Sequence, residues 1–193
     1  MTKYFLWNAQ PPRGGCVVHE VRNFDELLDL QEGPGSIADG YPDDVEIVMD
    51  PDHRKDVKLY DHLYNVHRLI VASPKLTSFL KGLKLAGVEF LPISIIDHKG
   101  KVASPEYAVV NPCNVYDCID RDATDIDWNP IDPDLIASVS QLTFDESKID
   151  PTVPMFRVKH MAHYVFVRED VAKAILAQDF SGPYMKPLAE VDL

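Results

Sequence analysis

The chain has 193 residues, 46% hydrophobic and 26% charged, which suits one packed domain or two small ones and excludes the disordered class. A formal net charge of -12, from 19 basic and 31 acidic residues, disfavours attraction to nucleic acid or an anionic membrane. It favours encounter with a basic partner, while also serving simple solubility. The opening "MTKYFLWNAQPPRGG" has an apolar run far shorter than a secretory core, followed by Pro11 and Pro12, and no window reaches the roughly 18 apolar residues of a membrane span. The expectation is a cytoplasmic protein.

In chain order, "KYFLWN" and "CVVHEVR" read as strands separated by a Pro-Pro-Arg-Gly-Gly turn. "NFDELLDLQEG" reads as a helix capped by Asn23, with Asp25 and Glu26 in its first turn and Leu27, Leu28 and Leu30 as a short apolar face. Gly33, Pro34 and Gly35 should stop it. "VEIVMD" is a strand, and "DPDHRKDVKLYD" a polar loop.

After the buried-strand run "RLIVA", Ser73 and Pro74 predict a helix start, and Leu76, Phe79, Leu80 and Leu83 fall on one face. Gly87 is expected to cap that helix. "VEFLPISIID", "PEYAVVNP" and "NVYDCID" then read as a meander turning at His98, Lys99 and Gly100. "DRDATDIDWNPIDPD" is an acidic loop punctuated by Pro130 and Pro133, with short extended pieces. "LIASVSQLTFDES" fits strand or helix, since Ser, Val and Thr dilute any clear period, and strand is favoured. A strand, a helix and an extended end close the chain.

That last segment echoes the unit at 70–93. Laying Gly87 on Gly182 also lays Pro92 on Pro187 without a gap, and pairs Ile70 with Val165, Leu76 with Val171 and Leu80 with Ile175. Each copy is expected to run strand, helix, capping glycine, strand. The fold class expected is therefore α+β: mostly antiparallel sheet with a few packed amphipathic helices and two similar strand-helix-strand units. Residues 1–193 are read as one domain, with N-terminal strands and a helix over 1–44 and a core over 45–193.

Chemistry is sparse. His160 and His163 in "KHMAH" are read as lying in a strand, on opposite faces, and His62 and His67 miss helical zinc spacing. Cys16, Cys113 and Cys118 read as buried free thiols. The Asp120 to Ile131 run lacks the glycine and the final glutamate of a calcium loop. Phosphate-loop, dinucleotide and hydrolase-elbow motifs are missing, so no metal, cofactor or catalytic residue is assigned.

Three stretches carry a resemblance: "LIVASPKLTSFLKGLKLAGVEFLPISI", "YAVVNPCNVYDCIDRDAT" and "MFRVKHMAHYVFVREDVAKAILAQDFSGPYMKPL". Over about residues 45 to 190 they resemble immunity protein family 11 of bacterial polymorphic toxin systems. That family runs from a strand into a V-x-S-type helix start, through an F-L-P-V-like strand and an acidic D-x-x-x-S stretch. It ends on an F-R strand, a helix and a G-x-x-F-x-P-like segment. Pro74, Thr124 and Met185 depart from an acidic residue, a serine and a phenylalanine.

The resemblance implies a non-enzymatic protein that binds and neutralises a cognate toxin, with nucleases among the toxins of the family. The acidic segments 120–134 and 39–56 are the expected contact surfaces: Asp120, Asp122, Asp125, Asp127, Asp43 and Asp44 for steering, Trp128 and Tyr41 as aromatic anchors. For Trp128 core packing is an equal alternative. Two other readings stand beside it. One is an enzyme on a small substrate or on a modified toxin, using the acidic loop with His98, His160 or His163 in a carboxylate–imidazole pocket; the other is a regulatory or scaffold domain.

Overall fold

The structure is a computed structural model that describes residues 3–32, 35–132 and 134–193, with the side chains of Asp29 and Glu32 left out. Six strands close into a barrel in the order β2 (Val17–Arg22), β3 (Glu46–Met49), β6 (Val88–Ile96), β7 (Val102–Pro112), β5 (Ile70–Ala72) and β4 (His62–Asn65). Five more form an open sheet in the order β13 (Pro183–Pro187), β1 (Tyr4–Ala9), β12 (Val165–Arg168), β11 (Met155–Val158) and β8 (Val115–Tyr116). A separate hairpin pairs β9 (Asp125–Trp128) with β10 (Ile136–Ser140).

The long β6–β7 hairpin organises the barrel. Leu91, Ile93 and Ile95 alternate inward from β6 and are almost fully buried, as the two-residue period of a strand dictates. Register shifts at Ile93/Ile95 and Ile95/Ile96 bend the hairpin, so that the end of β6 pairs with β3 while β7 pairs with β5. Closure needs two parallel pairings, β2 with β4 and β3 with β6. The core inside is mainly aliphatic, with Val18, Ile47, Leu63, Val71 and Val109 beside buried Tyr60 and Tyr107.

The three helices are α1 (Leu27–Glu32), α2 (Pro74–Gly82) and α3 (Glu169–Leu176). Ser73 caps α2 by accepting from the Leu76 amide at 3.2 Å, and Pro74 occupies its first turn. Leu76 and Leu80 of α2 meet Val171, Ala172 and Ile175 of α3 in one cluster. That cluster also takes Ile70, Ala72 and Val110 from the barrel and Trp7, Met155, Val165 and Val167 from the sheet. The two helices therefore fill the seam between barrel and sheet. Around it the topology repeats: β5 and β6 flank β7, each antiparallel to it, and β12 and β13 flank β1 in the same way.

Several local expectations change. Asn23 does not cap α1; it adopts φ 62° and donates its side-chain amide to the Asp44 carbonyl at 2.9 Å, so the helix starts at Leu27. Leu28 is 66% exposed while Leu30 is buried. Gly33, Pro34 and Pro133 lie outside the described residues.

Neither glycine of the repeat caps a helix. Gly87 (φ 68°) and Gly182 (φ 100°) each stand just before the following strand, β6 or β13. A Cβ on Gly87 would meet the Asn114 side chain at 1.9 Å, and one on Gly182 the His62 carbonyl at 2.4 Å, so close approach as well as φ selects glycine. Leu83, the last residue of the expected α2 face, is its C-cap and is exposed. The expected meander stops after β7, because β8 leaves to pair in parallel with β11. A strand missed by the sequence reading, β4, follows the polar loop.

Candidate functional site

The acidic segment 120–134 folds around its own side chains. The Asp120 carboxylate accepts from the Asp122 and Ala123 amides at 3.1 and 3.2 Å, shaping the turn into β9 rather than facing a partner. Asp122, Asp125 and Asp127 are exposed, the last two on the same face of β9 because they are two residues apart. At the tip, Asn129 Oδ1 accepts from the Ile131 and Asp132 amides, which leaves Ile131 92% exposed.

Trp128 is half-buried, with the Arg121 guanidinium 5.1 Å from its ring and His160 edge-on at 5.2 Å. It sits outside the three buried clusters, at the loop end of an acidic hairpin where it pairs with Ile136.

The other expected segment lies on the barrel. Asp43 and Asp44 are exposed ahead of β3. Tyr41, by contrast, packs against Phe24 and the barrel core with its hydroxyl buried and unpartnered, and burial pushes that hydroxyl's pKa up. Its ring is committed to packing. The structure thus places Tyr41 and Trp128 against different parts of the fold.

"KHMAH" is a turn between β11 and β12, not a strand; His160 takes φ 71°. One ring nitrogen of His160 lies 2.6 Å from the Asp134 carbonyl, and the Ile136 amide donates to the His160 carbonyl at 3.3 Å, so the turn holds the acidic hairpin. Farther along the same turn, the rings of His163 and Tyr164 lie 4.3 Å apart at a tilt of 43° and line a cleft of about 740 Å³.

This cleft was not anticipated. Trp7 and His62 form its floor: Trp7 Nε1 donates to His62 Nδ1 at 3.0 Å, and burial lowers the His62 pKa to about 4. His163 is lowered to about 4 by burial and by the positive charge of Arg68 and Arg157. The β4–β5 hairpin supplies the rim. Its tip is pinned by buried Asn65, whose side-chain amide donates to the Leu63 and Leu69 carbonyls and whose oxygen accepts from the Leu69 amide. Tyr64 and Val66 are left 42% and 53% exposed beside Arg68.

Among the described residues no Asp or Glu side chain lines the cleft, so the carboxylate–imidazole arrangement of the enzyme reading is not assembled there by them. His98 lies in the turn after β6 with its ring nitrogens shielded and unpartnered. Among the described residues no three His, Cys, Asp or Glu side chains gather as a metal group. Cys16 and Cys118 are buried thiols whose pKa burial raises to about 12, and Cys113 is half-buried.

Arg157 was read only as part of an "F-R" strand, yet it organises the support of this face. It is 2% exposed and donates to the carbonyls of Leu30 and Gln31 at 2.8 Å, Ala162 at 2.7 Å and Pro112 at 3.3 Å. The first two belong to the last turn of α1, where carbonyls lack helical partners. Asn111 links this guanidinium to Glu89, which in turn accepts from the Ser36 hydroxyl and the Ile37 amide. Arg157 therefore ties α1, the end of β7 and the β11–β12 turn together. A buried, neutralising donor of this kind has a signal only in retrospect: an arginine inside the otherwise apolar strand "MFRV".

Another seam contact is Asp61, whose carboxylate accepts from the Ser73 hydroxyl at 2.7 Å and from the Ser181 amide and hydroxyl at 2.9 Å. Partial burial alone would raise its pKa, but these bonds outweigh burial and hold it below the ordinary carboxylate value.

Among the described residues no helix is long and apolar enough to cross a membrane. No curated protein matches the chain. Residues 4–189 match the model of the immunity protein family (Imm11), a span that begins in β1 and runs through the barrel, the hairpin and the sheet, and the chain belongs to that family.

Proposed function

We propose that this immunity protein acts in the cytoplasm by binding its cognate toxin and occluding the toxin's active site or an essential surface, without itself catalysing a reaction. The observation that carries the reading is the family match over nearly the whole chain. Toxin neutralisation is what such membership implies. Electrostatics support the rest: with a net charge of -12 and exposed Asp122, Asp125, Asp127, Asp43 and Asp44, the protein attracts a basic toxin. A nuclease, delivered between bacteria by a secretion system, has the basic surface this requires. Nucleic acid and anionic membranes are repelled by the same charge.

Co-expression with the toxin encoded beside it is the direct test. Copurification of the two chains and restored growth are the expected results; toxicity undiminished by a folded immunity protein overturns the reading.

A further inference from the structure

The cleft beside the β4–β5 hairpin has features that neither core packing nor solubility calls for. Arg68 adopts φ 58°, a left-handed conformation uncommon outside glycine. Its guanidinium lies over the Tyr164 ring at 4.1 Å and makes no ion pair among the described residues, in a protein rich in carboxylates. Around it Tyr64, Val66 and Tyr184 stay exposed on strands and a turn that buried Asn65 holds rigid. Tyrosine and arginine on a preorganised support are the side chains that dominate protein interfaces.

Resting on the immunity reading above, we infer that this cleft is the toxin's anchoring site, and that it takes a toxin segment bearing an apolar or aromatic side chain beside a carboxylate. The apolar group packs between Tyr64, Val66 and Tyr184, and the carboxylate pairs with Arg68, whose guanidinium lies over Tyr164 and offers a planar fork of N–H donors. A volume of about 740 Å³ accommodates a few side chains, not a domain.

The flanking surface agrees. The β11–β12 turn that contributes His163 and Tyr164 to the cleft holds the acidic β9–β10 hairpin through His160 and Asp134. One face thus offers a cation with no ion pair among the described residues, in an aromatic cleft, and next to it carboxylates that steer a basic surface. Anchoring and steering are separate functions of adjoining parts, and they separate kinetically: anchors set the dissociation rate and steering charges the association rate.

The test measures binding of the catalytically inactivated neighbouring toxin to wild type, Tyr64→Ala and Arg68→Asn. Asparagine suits the positive φ, so Arg68→Asn removes the cation without adding strain. Thermal melts and circular dichroism confirm that each variant is folded. Tyr64→Ala and Arg68→Asn are each expected to weaken binding by about tenfold or more, through faster dissociation. If wild type binds and both variants stay within about twofold of it, neutralisation stands and the cleft assignment is overturned. If wild type itself does not bind, the immunity reading fails and takes the cleft assignment with it.

Discussion

The closed barrel packs mainly on aliphatic side chains, with Tyr60 and Tyr107 among them, whereas the open sheet packs on a ring cluster in which Tyr4, Tyr116, Phe144, Phe156 and Phe166 make edge-to-face contacts at 5.1 to 5.6 Å. Closure satisfies every strand of the barrel, and its interior is small enough for branched side chains to fill. The sheet ends instead at β13 and the two-residue β8, and it needs cover: α3 on one side, the β9–β10 hairpin and the tail near Val191 on the other. The difference shows where each half can vary. The barrel exposes hairpin tips such as Tyr64–Arg68, while the hairpin that covers one face of the sheet keeps Asp125 and Asp127 exposed. The candidate site forms where these two exposed parts meet.

Breaking the seam should have the largest effect. Arg157→Met removes the donors that hold four carbonyls from α1, β7 and the β11–β12 turn, and should cost about 3–5 kcal/mol in urea denaturation, since buried acceptors are left unpaired. Lysine, with a compact ammonium, should recover little of it. Ser73→Ala loses both the α2 cap and a donor to Asp61, and should lower stability by about 1–2 kcal/mol.

Acid should loosen the same seam. His62 and His163 have folded-state pKa values near 4 against 6.5 for an ordinary histidine, so between those values the unfolded chain binds more protons. Stability is full above pH 6.5 and should fall as pH drops from 6.5 towards 4. His62→Gln should show a shallower fall in melting temperature over that window. Asp61 acts lower: its depressed pKa adds stability that is present above the unfolded value, about 3.9, and is lost below it.

The smallest effect on stability is expected from Asp125→Asn with Asp127→Asn, within about 0.5 kcal/mol of wild type. These carboxylates belong to the hairpin and not to the seam. Stopped-flow association with the toxin should nonetheless slow and lose part of its salt dependence. An unchanged rate would leave the hairpin without a steering role.

Much of the local structure was legible. Apolar runs located β1, β3, β5, β6 and β11, and the Ser73–Pro74 pair marked the start of α2, because capping and alternation act over a few residues. Asn23 and Gly87 were misread for one reason: both take left-handed conformations at turns, which resemble helix ends in sequence. β4 was missed since "HLYN" mixes polar and apolar residues in a strand that is held by its neighbours on both sides. The acidic segments were visible as charge, yet Asp120 serves a turn and Tyr41 the core. The cleft was invisible, being assembled from β1, the β4–β5 hairpin, the β11–β12 turn and β13.

By itself the sequence determined the α+β class, the sites of its main strands and helices, its acidic character and its family, all properties of local pattern and composition. Only the tertiary structure decided that six strands close through two parallel pairings, that Arg157 is buried at the seam, and that Arg68 lies over the Tyr164 ring in an aromatic cleft. Those features depend on contacts between residues as much as 127 positions apart, such as Leu30 with Arg157, and no local pattern encodes which distant carbonyl a buried guanidinium will meet.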